Sequence, residues 1–186
     1  SQRILDAMDK GIRVDEIRAA RARLRDAGIR AGYFIQFGYP GEEWDDIEAT
    51  IDLVRTTLPD DVGISVSYPL PGTRFHALVA AELTDKENWE QSDDLAMMFR
   101  GTYRTDFYRA LHLALHDDLD LRLRDAGRTG APHASLPVVD LVSQRARVAE
   151  AWAEVHRREP VCRNAERTVI VLGEPTPAPD LGRTFG

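Results

Sequence analysis

The sequence predicts an α/β fold organised around one parallel βαβ unit, with a helical region behind it. Tyr33-Phe34-Ile35-Gln36-Phe37 is an apolar run that enters a Gly38-Tyr39-Pro40-Gly41 turn with Glu42 behind it. The same grammar recurs in Val62-Gly63-Ile64-Ser65-Val66-Ser67-Tyr68, which runs into Pro69-Leu70-Pro71-Gly72-Thr73. Between the two, Trp44, Ile47, Ile51 and Val54 repeat at helical spacing. Parallel strands joined by one crossover end on the same edge of their sheet, so the two Pro-Gly turns are expected side by side. In open α/β sheets and β/α barrels, ligands bind at that edge.

A chain of 186 residues has room for one ordinary domain or somewhat more. Charged residues at 30% and hydrophobic ones at 43% are normal for a globular protein. With 24 Lys and Arg against 31 Asp and Glu, the net charge of -7 argues against a nucleic-acid partner, which wants a basic face. No apolar run approaches the ~20 residues that span a bilayer, and no signal peptide is visible, so a cytoplasmic protein without a membrane partner is expected. The single cysteine, Cys162, excludes an internal disulfide and any multi-cysteine metal site within this chain. The chain opens on Ser1 without a methionine, close to a helical pattern, and is expected to be a piece of something longer.

In chain order, Ser1–Lys10 spaces Ile4, Leu5 and Met8 as a short helix stopped by Gly11. A second helix is expected from Val14 to Ala27, with Asp15 and Glu16 where the helix dipole favours negative charge. Ile17, Ala20 and Leu24 form its apolar stripe, and its arginines, Arg21 among them, read as a solvated face. The strand Arg30–Phe37 is apolar on both faces, the pattern of a parallel strand covered on each side. Gln36 is its exception and must find a hydrogen-bond partner, in a neighbouring loop or in a ligand. The crossover helix Glu43–Leu58 ends at Pro59.

In the second strand one face is bulky, while Gly63, Ser65 and Ser67 form a small, hydroxyl-lined face. That face leaves space for a ligand or for close packing in a barrel wall. Beyond it the spacing predicts a helix over Arg74–Leu83, a polar connector carrying Trp89, a short helix over Asp93–Arg100, and a long helix over Thr105–Leu123 capped by Thr105 or Asp106. His112 and His116 are spaced to share a metal, but Leu113-Ala114-Leu115 offers no acid and no third ligand is assigned, so no metal is placed there. A break at Gly127–Pro132 precedes a last helix from near Pro137, a strand over Arg167–Leu172, and a disordered tail over 173–186.

Taken together, FIQFGYPGE and the spaced VSYPLPGT resemble the last two strands of a radical S-adenosylmethionine (SAM) domain. More narrowly they resemble the cobalamin-binding-domain subgroup, of the anaerobic magnesium-protoporphyrin monomethyl ester oxidative cyclase type. SQRILDAMDKG and NWEQSDDLAMMFRGTY are similar to the segments before and after those strands, so the resemblance covers Ser1 to His116. It implies that the fold is the C-terminal portion of a partial (β/α) radical SAM barrel, two parallel strands with helices, followed by a helical C-terminal region. The divisions expected are 1–83 for the barrel part, 84–126 for a helical extension, 127–172 for the last helix and strand, and 173–186 for the tail.

In such enzymes a [4Fe-4S] cluster reduces SAM to a 5′-deoxyadenosyl radical, and the protein orients the cofactors. The resemblance implies SAM contacts from Phe34, Gln36 and Gly38, from the small face at Ser65 and Ser67, and from Tyr68, Pro69, Leu70 and Pro71. Glu42 matches the family's acidic position and reads as charge at a helix N-terminus. The intact reaction would be methyl transfer or oxidative ring closure on an organic small molecule, a tetrapyrrole among those the resemblance suggests.

The departure is the cluster motif. Thiolates hold the irons in a CxxxCxxC arrangement, and this chain has only Cys162. The cluster ligands and the cobalamin domain are therefore expected outside this chain, which is predicted inactive alone. Two alternatives stand beside this reading: a radical SAM enzyme without cobalamin, and a non-catalytic α/β binding module. An apolar strand with an unpaired edge also predicts self-association through the open side of the sheet.

Overall fold

Residues 1–85, 95–128 and 140–164 are described in the computed structural model. Their elements are α1 (Gln2–Ala7), α2 (Val14–Asp26), β1 (Gly32–Phe37), α3 (Trp44–Thr57), β2 (Asp61–Val66), α4 (Arg74–Leu78), α5 (Thr105–Asp125) and α6 (Leu141–Cys162). The fold is mixed α/β. Its sheet has two strands, β1 and β2, paired parallel in continuous register from Gly32 opposite Asp61 to Phe37 opposite Val66. No helix among the described residues is long and apolar enough to cross a membrane.

The two-residue alternation of the strands decides what they bury. Ile35, Phe37, Val62 and Val66 point to one face and enter the core with Ile47, Ile51 and Val54 of α3. Each such side chain contributes about 1.5–3 kcal/mol of burial. Phe107, Leu111, Ala114 and Leu115 of α5 and Val155 of α6 extend the same core. The other face is largely open: Phe34 is 101% exposed and Ser65 beside it is exposed too, while Gln36 and Gly63 are half-buried. The expectation of a strand covered on both sides is therefore corrected, since the helices that follow all pack on one side.

At the start of the strands an arginine knot replaces the expected solvated face of α2. Arg21 is buried, 3% exposed, and donates through Nη2 to the Leu58 carbonyl at 2.8 Å. Arg128 donates to the same carbonyl at 3.0 Å and to Asp60 at 2.5 Å. Asp60 in turn accepts the Ala31 amide at 2.8 Å, which fixes the entry to β1. Burial pushes the Asp60 carboxyl up, but the Ala31 amide and Arg128 outweigh it and hold it below the usual carboxylate range. Leu58 can present its carbonyl to both arginines because it ends α3 in the left-handed conformation, φ 44°. Pro59 alone does not stop the helix.

A second polar hub ties the helices together. The buried Asp118 of α5 accepts Arg55 Nε of α3 at 2.7 Å, Arg122 Nε at 2.7 Å and Trp152 Nε1 of α6 at 3.2 Å. Arg55 also lies over the Trp152 ring, 4.7 Å from its centroid.

Other expectations shift. The helix over Arg74–Leu83 is α4 followed by a 3-10 turn at Ala80–Glu82. Residues 95–100 of the helix predicted over Asp93–Arg100 are not helical: Phe99 bridges Leu83 antiparallel, and Leu95 has φ 66°. α5 is not capped by Thr105 or Asp106. Its N-cap is Arg104, and the Thr105 hydroxyl instead accepts the Met97 amide at 3.1 Å. The last helix begins after Asp140, whose carboxylate accepts the Val142 and Ser143 amides at 3.0 Å. Trp89, Pro137, the strand predicted over Arg167–Leu172 and the tail lie outside the described residues.

Candidate functional site

The two Pro-Gly turns do meet at one end of the sheet. β1 hands over to Gly38, whose φ of 76° lets the chain turn sharply. β2 hands over to Ser67, whose amide donates to the Phe37 carbonyl at 2.8 Å and extends the pairing by one step. Tyr39 of the first turn then packs on Phe75 just after the second, ring centroids 5.2 Å apart.

The residues that sequence reasoning assigned to a ligand divide into two groups. Phe34, Gln36 and Ser65 stand together on the uncovered face, with Gln36 directly opposite Ser65 and Phe34 opposite Gly63. The Phe34 ring reaches over Gly63, where an added Cβ would lie only 3.1 Å from it. A side chain at position 63 would displace that ring. The Gln36 amide nitrogen donates to the Ser67 hydroxyl at 3.2 Å, and its oxygen has no partner among the described residues. Leu70 and Pro71 are exposed at the adjoining turn.

The second group is spent on the fold. Ser67 is fully buried and its hydroxyl donates to the Phe37 carbonyl at 3.1 Å. Pro69 is buried, and Tyr68 packs half-buried against the core. The Leu70 carbonyl accepts both the amide and the hydroxyl of Thr73, which starts α4. Gly38 faces inward: a Cβ there would meet Met97 at 3.1 Å and the Tyr108 hydroxyl at 3.2 Å. Its bare backbone is filled by the core rather than held open.

Sequence reasoning missed the part Glu42 plays. Glu42 is no exposed charge at a helix start; Glu43 is the N-cap of α3, and Glu42 is 2% exposed. Its carboxyl turns back to accept the Gly38 amide at 2.5 Å, and its carbonyl accepts the Thr102 hydroxyl at 2.6 Å. Burial pushes its pKa up to about 8; the Gly38 amide opposes that, and the Asp46 carboxylate adds to it. The Tyr108 hydroxyl is buried close by without a hydrogen-bond partner among the described residues. Burial and then the Glu42 charge push that phenol well above its ordinary value, against a weak pull from the Tyr103 amide, which falls short of hydrogen-bond geometry. The only signal in the sequence was an acid placed directly after Pro-Gly.

Cys162 is buried in the last turn of α6, in the core. The His112 and His116 rings lie 4.4 Å apart, and no group of three His, Cys, Asp or Glu that could hold a metal is assembled among the described residues. Compared with protein-family models, the chain matches none.

Proposed function

We propose that this chain forms the SAM-facing end of a radical SAM barrel, within an enzyme that carries out methyl transfer or oxidative cyclisation with the help of cobalamin. The observation that supports this reading best is the uncovered sheet face. Phe34, Gln36, Gly63 and Ser65 stand on it in register, from the middle of the strands toward the end where both Pro-Gly turns converge. An aromatic ring, an amide whose oxygen has no partner among the described residues, a hydroxyl and a glycine suit an adenosine moiety: stacking, hydrogen bonding and close approach. SAM therefore fits these residues. When bound with a reduced cluster it would supply the radical, while this chain's side chains hold and orient the nucleoside.

The [4Fe-4S] cluster does not fit this chain. Its lone thiol, Cys162, is buried in the core at the far end of α6, so the ligands must come from elsewhere. No residue here is assigned to cobalamin. Anaerobic reconstitution of the chain with iron and sulfide, followed by iron analysis and a 5′-deoxyadenosine assay, should give neither a stoichiometric cluster nor turnover. A stoichiometric cluster with SAM cleavage would overturn this assignment of roles.

The SAM contact itself is tested with Gln36→Leu, similar in size and apolar. The substitution leaves the fold intact and should weaken SAM binding in a calorimetric titration by about 0.5–1.5 kcal/mol, the net worth of one neutral hydrogen bond. Equal binding by the variant and its parent would remove Gln36 from the site.

A further inference from the structure

A cleft of about 380 Å³ opens where two short antiparallel pairings adjoin. In the first, Phe99 bridges Leu83, the Arg100 amide donates to the Glu82 carbonyl at 2.7 Å, and the Thr84 amide donates to the Met98 carbonyl at 2.9 Å. In the second, Tyr103 bridges Arg163, and the Arg104 amide donates to the Cys162 carbonyl at 2.9 Å. The Asn164 amide adds a bond of 2.9 Å to the Thr102 carbonyl. Phe99 and Tyr103 are buried, whereas Arg100 and Arg104, one residue further along, are exposed. The cleft therefore has an apolar floor of Met97, Phe99 and Tyr103 and is lined by both arginines.

Its polar groups keep bonding capacity that the fold does not use. The Arg100 guanidinium has no hydrogen bond or ion pair among the described residues. Arg104 commits only Nη2, to the Val161 carbonyl at 3.1 Å. The Thr105 hydroxyl accepts the Met97 amide at 3.1 Å, so its own hydrogen remains to donate. Asn164 donates Nδ2 to the Gly101 carbonyl at 2.7 Å, which leaves its oxygen to accept. Asp106 is the one carboxylate on the lining among the described residues, and it lies 3.8 Å from Arg109 with 61% of its side chain accessible. Two guanidiniums against one carboxylate leave the cleft positive in a chain of net charge -7.

We infer that this cleft binds the phosphate monoester of a small hydroxylated molecule. Arg100, Arg104 and the Thr105 hydroxyl receive the phosphate oxygens, and the Asn164 oxygen accepts a hydroxyl of the body. Arg suits such a head group because its planar fork matches two oxygens at once. A doubly charged group with three free oxygens uses two guanidiniums and a hydroxyl more fully than a carboxylate does. The volume is that of a small-molecule site. None of these side chains takes part in the SAM reading, so the two stand or fall separately.

The test is a calorimetric titration of the 186-residue chain with ribose 5-phosphate, inorganic phosphate and ribose. Saturable binding is expected with ribose 5-phosphate, weaker binding with inorganic phosphate, and none with ribose. Arg100→Gln should leave the melting temperature unchanged, because that side chain ties nothing together in the fold. The same variant should weaken ribose 5-phosphate binding about tenfold or more, the worth of a charge-assisted hydrogen bond. Asp106→Asn removes the like charge and should tighten binding, whereas Gln36→Leu should not alter it. The inference is overturned if ribose 5-phosphate shows no saturable binding, if Arg100→Gln binds as tightly as the parent, or if ribose binds equally. Inorganic phosphate binding as tightly as the sugar phosphate would overturn it too, leaving a site for a bare anion. So would displacement by SAM, since the cleft would then belong to the SAM site.

Discussion

Glu42 shows how much one side chain can do when burial changes its chemistry. Folded, its carboxyl titrates near 8, against an ordinary value of 4.5. The folded chain therefore keeps a proton that the unfolded chain releases in that interval. Stability from this group is fully present below the unfolded value and is lost as pH rises through the folded one. The slope is at most about 1.4 kcal/mol per pH unit. Glu42→Gln keeps an oxygen for the Gly38 amide and removes the titration. Urea midpoints measured between about pH 5 and 8 should fall for the parent and stay flatter for the variant. Parallel profiles would show that Glu42 is already ionised in the folded protein.

Among the elements, α5 joins the sheet to the rest, and Asp118 is where three helices meet. Removing that carboxylate strands the Trp152 indole and leaves two arginines facing each other. Those arginines are partly exposed, with 31% and 42% of their side-chain surface accessible, so both can turn to water. Asp118→Ala should therefore cost about 1–3 kcal/mol, less than the loss of a partner to a fully buried charge. Chemical denaturation gives the number. A loss under about 0.5 kcal/mol would mean that the apolar packing of α5 on α6 holds the bundle by itself.

For the whole molecule, the unfinished feature is the sheet. Among the described residues β1 pairs with β2 on one side only, and backbone groups of Gly32, Phe34 and Gln36 alternate toward the other edge. A groove of about 340 Å³, walled by Ile4, Leu5, Met8, Ile12 and Ile17, runs along that edge beside Phe34. An apolar edge of this kind is a template for another strand. Light scattering after size exclusion should show association that rises with concentration, and Phe34→Lys should suppress it. A monodisperse parent with a concentration-independent melt would mean that the edge is closed within one chain.

The sequence by itself determined the βαβ unit, because period-two and period-3.6 patterns and Pro-Gly turns act over a few neighbouring residues. It determined the parallel pairing too, since a single helical crossover leaves no other arrangement, and with it the meeting of the two turns. Alternation also put Phe34 with Gln36 on one face of β1 and Ser65 with Gly63 on one face of β2, while the pairing register that brings the two pairs together came only from the structure. Only the tertiary structure decided which face stays uncovered, because that depends on where distant helices pack. For the same reason it decided that Arg21 is buried against Leu58, that Ser67 and Gly38 serve the core, and that Glu42 turns inward. Arg100 and Arg104 likewise come to line one cleft only when Phe99 bridges Leu83 and Tyr103 bridges Arg163. A side chain's spacing is written locally, whereas its desolvation and partners come from residues many positions away.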